Sequence, residues 1–141
     1  MPTRTPYDAL ERIQDRMVGE IQIAIGVELD HLTRAVQHGH AIDAEILAAR
    51  ATSMNDPLID AAPFLRATRM RRVAAQAEQV ALHAKVSRLR DEAMTAYSEL
   101  SATREAVGTF RTETVRAALC AEQAMLDDLS GTTHHRSRSR S

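Results

Sequence analysis

Residues 53–63 read Ser53-Met54-Asn55-Asp56-Pro57-Leu58-Ile59-Asp60-Ala61-Ala62-Pro63. Ser, Asn, Asp and Pro gather in the first five positions, and Pro57 disfavours helix at Asp56. Asp60 is a good helix N-cap, and a proline at 63 is tolerated in a first turn. The remaining prolines are Pro2 and Pro6, so the windows 7–56 and 64–141 contain none. The stretch therefore reads as a turn between two long helices. The expected bounds are about 6–52 for helix one, 53–59 for the turn and about 60–130 for helix two. Residues 131–141 form an expected disordered basic tail.

Outward to the N-terminal side, Thr5 is placed as N-cap. Pro6 suits the first helical position, and Asp8 completes a capping box. Leu10, Ile13, Met17, Ile21, Ile25, Leu29, Leu32 and Val36 then recur at about 3.7 residues per step, a helical stripe. That period is nearer to an 11-residue repeat than to a heptad. Gly19, Gly26 and Gly39 interrupt the stripe at about 1 kcal/mol each relative to alanine. Their simplest role is close packing, although His38-Gly39-His40 also allows a break.

Outward to the C-terminal side, Leu82, Val86, Leu89, Ala93, Ala96, Leu100, Thr103, Val107 and Phe110 alternate steps of four and three. This is the seam of a left-handed coiled coil. Val73, Ala77, Val80 and Ala84 repeat the spacing in another register, and the helix face is expected to rotate there. Gly131 is the expected stop. The fold class that follows is all-α: a long antiparallel two-helix coiled-coil hairpin in one domain. Helix two, at about 70 residues or roughly 105 Å, would overhang helix one by about 37 Å.

Composition agrees. The chain has 141 residues, 44% of them hydrophobic, with 24 alanines and four aromatics: Tyr7, Phe64, Tyr97 and Phe110. A thick core needs larger side chains. Turn signals every 8–12 residues, as in a β-sandwich, are missing. The 18 basic and 19 acidic residues nearly balance, which argues against a nucleic-acid binder. Arg136, Arg138 and Arg140 are all near the end, and without them the body is net acidic. The single Cys120 excludes an internal disulfide and suits a reducing cytoplasm. No apolar run reaches membrane-spanning length, and Met-Pro-Thr-Arg-Thr-Pro lacks the apolar stretch of a signal peptide.

Chemistry-bearing groups are sparse. His31 and His38 are seven residues apart, and with His40 they lack the convergence of a metal site. His134 and His135 sit in the expected tail. Cys120 has no neighbouring base and reads as a small seam residue. Asp127 and Asp128 point to different helix faces. The expectation is no catalytic residue, no metal and no cofactor. Two surfaces remain. Arg66, Arg69, Arg71 and Arg72 cluster beside the turn, with Arg50 across from them. They suit an acidic partner or phosphates, against the plainer alternative of a solvated, partly paired face. Tyr7, Leu10, Val18 and Ile23, with Val115, Leu119, Met125 and Leu126, exceed what a two-helix seam needs, so a partner or third segment is expected there.

The whole pattern resembles the FliJ family, the stalk proteins of bacterial flagellar type III export. The resemblance lies in size, in the long hairpin, and in a second helix opening Ala62-Pro63-Phe64-Leu65. Heptad-spaced Arg, Gln, Glu and Ala follow, then Ala121-Glu122-Gln123 and Leu126-Asp127-Asp128 before a basic tail. It implies a non-enzymatic cytoplasmic protein, peripheral to the inner-membrane export apparatus. Such a protein couples the hexameric export ATPase to the membrane export gate and escorts export chaperones. By resemblance, Leu10, Ile13, Arg116, Leu119, Glu122 and Gln123 would face the ATPase. Gln37, Phe64, Arg69 and Val73, with Arg66 and Arg72 of the basic cluster, would lie towards the gate. A helical export chaperone of the FlgN sort, using Leu32 to Leu47, is the alternative. A self-associating structural coiled coil and a regulator using the Arg tail on nucleic acid complete the range.

Overall fold

In the computed structural model, residues 4–138 are described, and they form two helices with no strand among them. Helix α1 spans Asp8–Asn55, 48 residues, and α2 spans Ala62–Arg138, 77 residues. The chain divides into two compact units. One joins residues 1–15 to 98–141, and the other is Arg16–Tyr97.

The unit Arg16–Tyr97 contains the turn. Asp56 Oδ1 accepts from Leu58 N at 3.0 Å, and Ile59 N donates to the Asp56 carbonyl at 3.1 Å. Asp60 Oδ1 then accepts from Ala62 N at 3.0 Å, so Asp60 is the cap expected of it. Helix α1 ends three residues later than anticipated and α2 begins two residues later, within the usual spread of helix boundaries.

After the turn the helices pair antiparallel. Arg72 bonds Asp43 through two nitrogens, Gln79 Nε2 donates to the Ala35 carbonyl at 3.2 Å, and Lys85 Nζ lies 2.6 Å from Glu28 Oε1. Ile42, Ile46 and Ala75 form a buried cluster with Leu65 against it. On α1 the buried positions are Val18, Glu28, Ala35, Ile42 and Ile46, and with the half-buried Ile21, Ile25, Leu32 and Gly39 they line the seam. Their steps alternate three and four, a strict heptad spacing. Of the looser 3.7-residue stripe, Ile21, Ile25, Leu29, Leu32 and Val36 are half-buried, whereas Leu10, Ile13 and Met17 are exposed. Met17 is 48% exposed because the seam takes Val18 instead.

The seam of α2 in this unit is Ala61, Leu65, Thr68, Ala75, Gln79, Leu82, Val86, Leu89, Ala93 and Ala96, all buried or half-buried. The heptad read from Leu82 onward therefore runs back to Ala61 in the same register. Val73 and Val80 are exposed, at 69% and 64%, so no rotation of the face occurs there. Thr68 can occupy a buried position because its hydroxyl donates to the Phe64 carbonyl at 2.8 Å. Each aliphatic side chain fully buried in such a seam contributes about 1.5–3 kcal/mol. The exposed ion pairs beside it add little.

Gly39 is continuous with the helix and has no positive φ, so it is no break. It is a close-packing glycine: a Cβ there would sit 2.6 Å from Gln79 Nε2. Gly19 and Gly26 face open space, which corrects the packing role given to them.

The second unit pairs the start of α1 with α2 from Ser98. Thr5 N donates to Asp8 Oδ2 at 2.9 Å, and Thr5 Oγ1 donates to Asp8 Oδ1 at 2.6 Å. The N3 carboxylate of the anticipated capping box is in place. Arg104 bridges Glu11 and Asp15, each at 3.2 Å, and Arg111 lies 3.6 Å from Asp8. Leu100, Thr103 and Val107 are buried and Phe110 is half-buried, completing the heptad.

Beyond Arg111, α2 continues through Gly131 to Arg138. The stop at Gly131 and the tail expected from it are corrected over residues 131–138; residues 139–141 lie outside the described residues. A glycine ends a helix by turning left-handed, and Gly131 does not. His135, Arg136 and Arg138 in the last turn favour the helix C-terminus electrostatically.

Candidate functional surfaces

The turn-end surface belongs to the unit Arg16–Tyr97. Asp60 and Pro63 start α2 so that Phe64 lies in its first turn, 49% exposed. Leu58 at 94% and Met54 at 86% are the most exposed large apolar side chains of the turn. The basic cluster is split by the seam. Arg71 Nη1 pairs with Glu45 Oε2 at 2.9 Å, and Arg72 is held by Asp43. The hydrogen bond from Arg72 draws the Asp43 carboxyl below its ordinary value and raises the Arg72 guanidinium above its own. Arg50, Arg66 and Arg69 are exposed, with no ion pair among the described residues. Arg66, Arg69 and Val73 share one exposed side of α2. Gln37 is exposed but stands apart: the pairing of 35 with 79 puts it about 13 residues, roughly 20 Å, from the level of Phe64.

The second surface belongs to the other unit. Leu10 and Ile13 are 44% and 58% exposed, one helix position off the seam defined by Glu11 and Gln14. Arg116, Leu119, Glu122 and Gln123 are exposed on the part of α2 past Arg111, with Leu119 at 60%. The Asp8–Arg111 and Glu11–Arg104 pairings place Leu10 beside residues near 105–109 and Ile13 beside residues near 102–106. They therefore lie at least about ten residues, roughly 15 Å, from Leu119 along the axis. The six residues are on one unit but do not form one patch. Val18 is buried in the seam and leaves the surplus apolar set. Cys120 is exposed and not a seam residue.

Chemical groups elsewhere are few. Among the described residues no three His, Cys, Asp or Glu side chains are placed to hold a metal ion. No helix is long and apolar enough to cross a membrane. A cleft of about 180 Å³ lies beside Gly39, His40, Asp43, Arg72 and Gln79. Wider open clefts, of about 500 and 770 Å³, lie beside His31, His38 and Glu78 and beside Asp127, Asp128 and Arg136. The feature sequence reasoning missed is Glu28, an acid in the seam. Its Oε1 meets Lys85, its Oε2 has no hydrogen bond, and His31 Nδ1 stands 3.4 Å away. A charged residue at heptad spacing within an apolar run was the available signal.

No family model matches the chain, and no curated protein or solved structure matches it.

Proposed function

We propose that the chain is a non-enzymatic coiled-coil stalk or adaptor of the flagellar type III export apparatus. It acts in the cytoplasm at the inner-membrane export machinery. On this reading it links the hexameric export ATPase to the membrane export gate and escorts export chaperones. Leu10, Ile13, Arg116, Leu119, Glu122 and Gln123 serve the ATPase. Phe64, Arg66, Arg69, Arg72 and Val73, with Gln37 further along, serve the gate.

One observation carries the reading. Past Arg111 every described side chain of α2 is exposed, and Leu119, Met125, Leu126 and Leu129 are 59–66% exposed. A single apolar-faced helix continuing from a heptad-paired stem suits insertion into a ring-shaped partner, and a folded substrate pocket is not needed. The chaperone alternative is less well supported. Leu32, Ala35, Ile42 and Ile46 of the 32–47 stretch are spent in the seam, leaving Leu47 exposed at 66%.

The test is to titrate the chain into purified flagellar export ATPase and follow turnover and hexamer assembly. Stimulation of either, lost in Leu119→Asp and Ile13→Asp, is the expected result. Unchanged assembly over a wide concentration range rejects the reading.

A further inference from the structure

We infer that one edge of the hairpin in the unit Arg16–Tyr97 is a groove for an acidic amphipathic helix of another protein. That helix has about six turns, carboxylates towards its ends and an aliphatic middle. The inference deepens the proposed function and rests on it for the residues shared with the gate end, Arg66, Arg69, Arg72 and Val73.

The two edges of the seam differ in what lines them. Val36, His40, Asp43, Arg72 and Gln76 border a cleft on one edge, and His31, Arg34, His38 and Glu78 border a cleft on the other. In heptad-paired helices, steps of seven residues stay on one edge. From Val36 and Gln76 they lead to Leu29, Asp43 and Arg50 on α1 and to Arg69, His83 and Arg90 on α2. The next row outward on α2 is Arg66, Val73 and Val80. From His38 and Glu78 they lead to Glu45 on α1 and to Arg71, Lys85 and Glu92 on α2. This second edge neutralises itself, since Arg71 pairs with Glu45 and Lys85 with Glu28.

The first edge does not. Its carboxylate, Asp43, is held by Arg72. Arg50, Arg66, Arg69 and Arg90 are exposed and make no ion pair among the described residues. Five arginines against one aspartate leave the edge at +4 with its histidines neutral. Asp56 and Asp60 lie beyond it in the turn, each accepting from a backbone amide. The pairing of 35 with 79 puts Arg50 level with residue 64, within about five residues, roughly 8 Å, of Arg66 and Arg69 along the axis. Arg90 is 21 residues, roughly 32 Å, from Arg69. Between these basic ends lie Val73 and Val80, 69% and 64% exposed, with the half-buried Leu29 and Val36 on the floor.

Shape and charge together select the occupant. An aliphatic floor between two helices takes the apolar stripe of a third, the helix-in-groove mode. Carboxylates on that helix meet arginines that no described residue of this chain neutralises, and complementary charge sets partner and register. The same edge of a second copy brings arginine to arginine in parallel, and Arg69 to Arg90 when reversed about the middle. Like charges so placed are unfavourable. A flat lipid surface does not reach Leu29 and Val36, and a phosphate backbone leaves Val73 and Val80 uncovered.

The experiment uses the full chain and two labelled synthetic helices with the same leucine stripe. One carries Glu in its first and last turns, and the other carries Lys there. Fluorescence anisotropy should give at least tenfold tighter binding of the acidic peptide, weakening as salt rises. Arg69→Glu with Arg90→Glu should weaken it at least tenfold. Arg50→Gln with Arg66→Gln, which removes charge without reversing it, should weaken it at least fivefold. Val73→Ser with Val80→Ser should do the same and keep the salt dependence. Arg34→Glu, on the opposite edge, should change it less than twofold. Circular dichroism checks the helix content of each variant. Equal binding of both peptides overturns the inference. So does a loss in Arg34→Glu as large as in the arginine pairs, and so does binding indifferent to the valine pair. Dimerisation in sedimentation equilibrium that the arginine pairs alter would make a second copy the occupant and overturn it too. Tighter binding to phosphatidylserine vesicles or to a single-stranded oligonucleotide than to the acidic peptide would do likewise. The ATPase titration is read separately. Peptide selectivity with an unaffected ATPase rejects the stalk alone, and ATPase stimulation without selectivity rejects the inference alone.

Discussion

Gln79 lies across Gly39. Its Nε2 donates to the Ala35 carbonyl at 3.2 Å, and a Cβ on residue 39 would come within 2.6 Å of that nitrogen. The seam here takes a glycine so that a polar side chain can reach the facing backbone. Alanine at a helical glycine position normally gains about 1 kcal/mol. At Gly39 that gain is opposed by displacement of the Gln79 amide and loss of a hydrogen bond worth about 1 kcal/mol. Gly39→Ala should therefore be near neutral, whereas Gly26→Ala, facing open space, should stabilise by roughly 0.5–1 kcal/mol. Urea titrations of both variants, and of Gly39→Ala in a Gln79→Ala background, test this. A Gly39→Ala gain as large as that of Gly26→Ala in the parent would mean that Gln79 does not matter.

The register of α2 makes a second prediction. Leu100 is 2% exposed and Val80 is 64% exposed, although both are aliphatic residues at heptad spacing from other apolar positions. Leu100→Ala should lose about 2–4 kcal/mol through lost transfer energy and a residual cavity. Val80→Ala should stay within about 0.5 kcal/mol of the parent, as surface changes usually do. Equal losses from denaturant unfolding would place Val80 in the seam after all.

These two residues also mark what the sequence made legible. The 82–110 heptad was readable because its positions are filled mostly by Leu, Val and Ala. The turn was readable because Asn55, Asp56, Pro57 and Asp60 each have a backbone reason to be there. The seam of α1 was legible only in part: Ile21, Ile25 and Leu32 lie on it, but hydrophobicity is a poor guide where Glu28, Gly39 and Ala35 occupy covered positions while Leu10, Ile13 and Met17 stand outside. Likewise Val73 and Val80 drew attention from a seam continued by Thr68, Ala75 and Gln79. Tertiary partners serve two of those polar groups, a carbonyl for Gln79 and a lysine for one oxygen of Glu28, and the preceding turn of its own helix serves Thr68. Surplus apolar surface past Arg111 was visible in advance, but the burial of Val18 and the axial separation of Leu10 from Leu119 required the pairing itself.

The Asp60 cap gives a third prediction. Its Oδ1 accepts from Ala62 N, one of the amides left without an intrahelical partner at the start of α2. Asp60→Ala should lower stability by about 1 kcal/mol, and Asp60→Asn should restore most of it. Chemical denaturation of the pair is sufficient. An alanine variant as stable as the parent would mean that the Asp56 turn alone sets the start of α2.

Acid stability supplies the last prediction. Three carboxyls are held below their ordinary values. Asp8 is lowered chiefly by the Thr5 hydrogen bonds, Glu28 by Lys85, and Asp43 by Arg72. The folded chain therefore binds these protons less readily than the unfolded chain. Their contribution is complete above the unfolded values, 3.8 for the aspartates and 4.5 for Glu28, and disappears as pH falls through the lower folded values. Stability should be flat in these groups from neutral pH to about 5 and decline below it. Glu28→Gln should flatten part of that decline, because the amide does not titrate. Combining Asp8→Asn, Glu28→Gln and Asp43→Asn should flatten more of it. Thermal unfolding followed by circular dichroism from about pH 2 to 7 reads the slopes directly. An acid slope unchanged in the triple variant would assign the decline to other carboxylates and separate the interhelical pairs from acid unfolding.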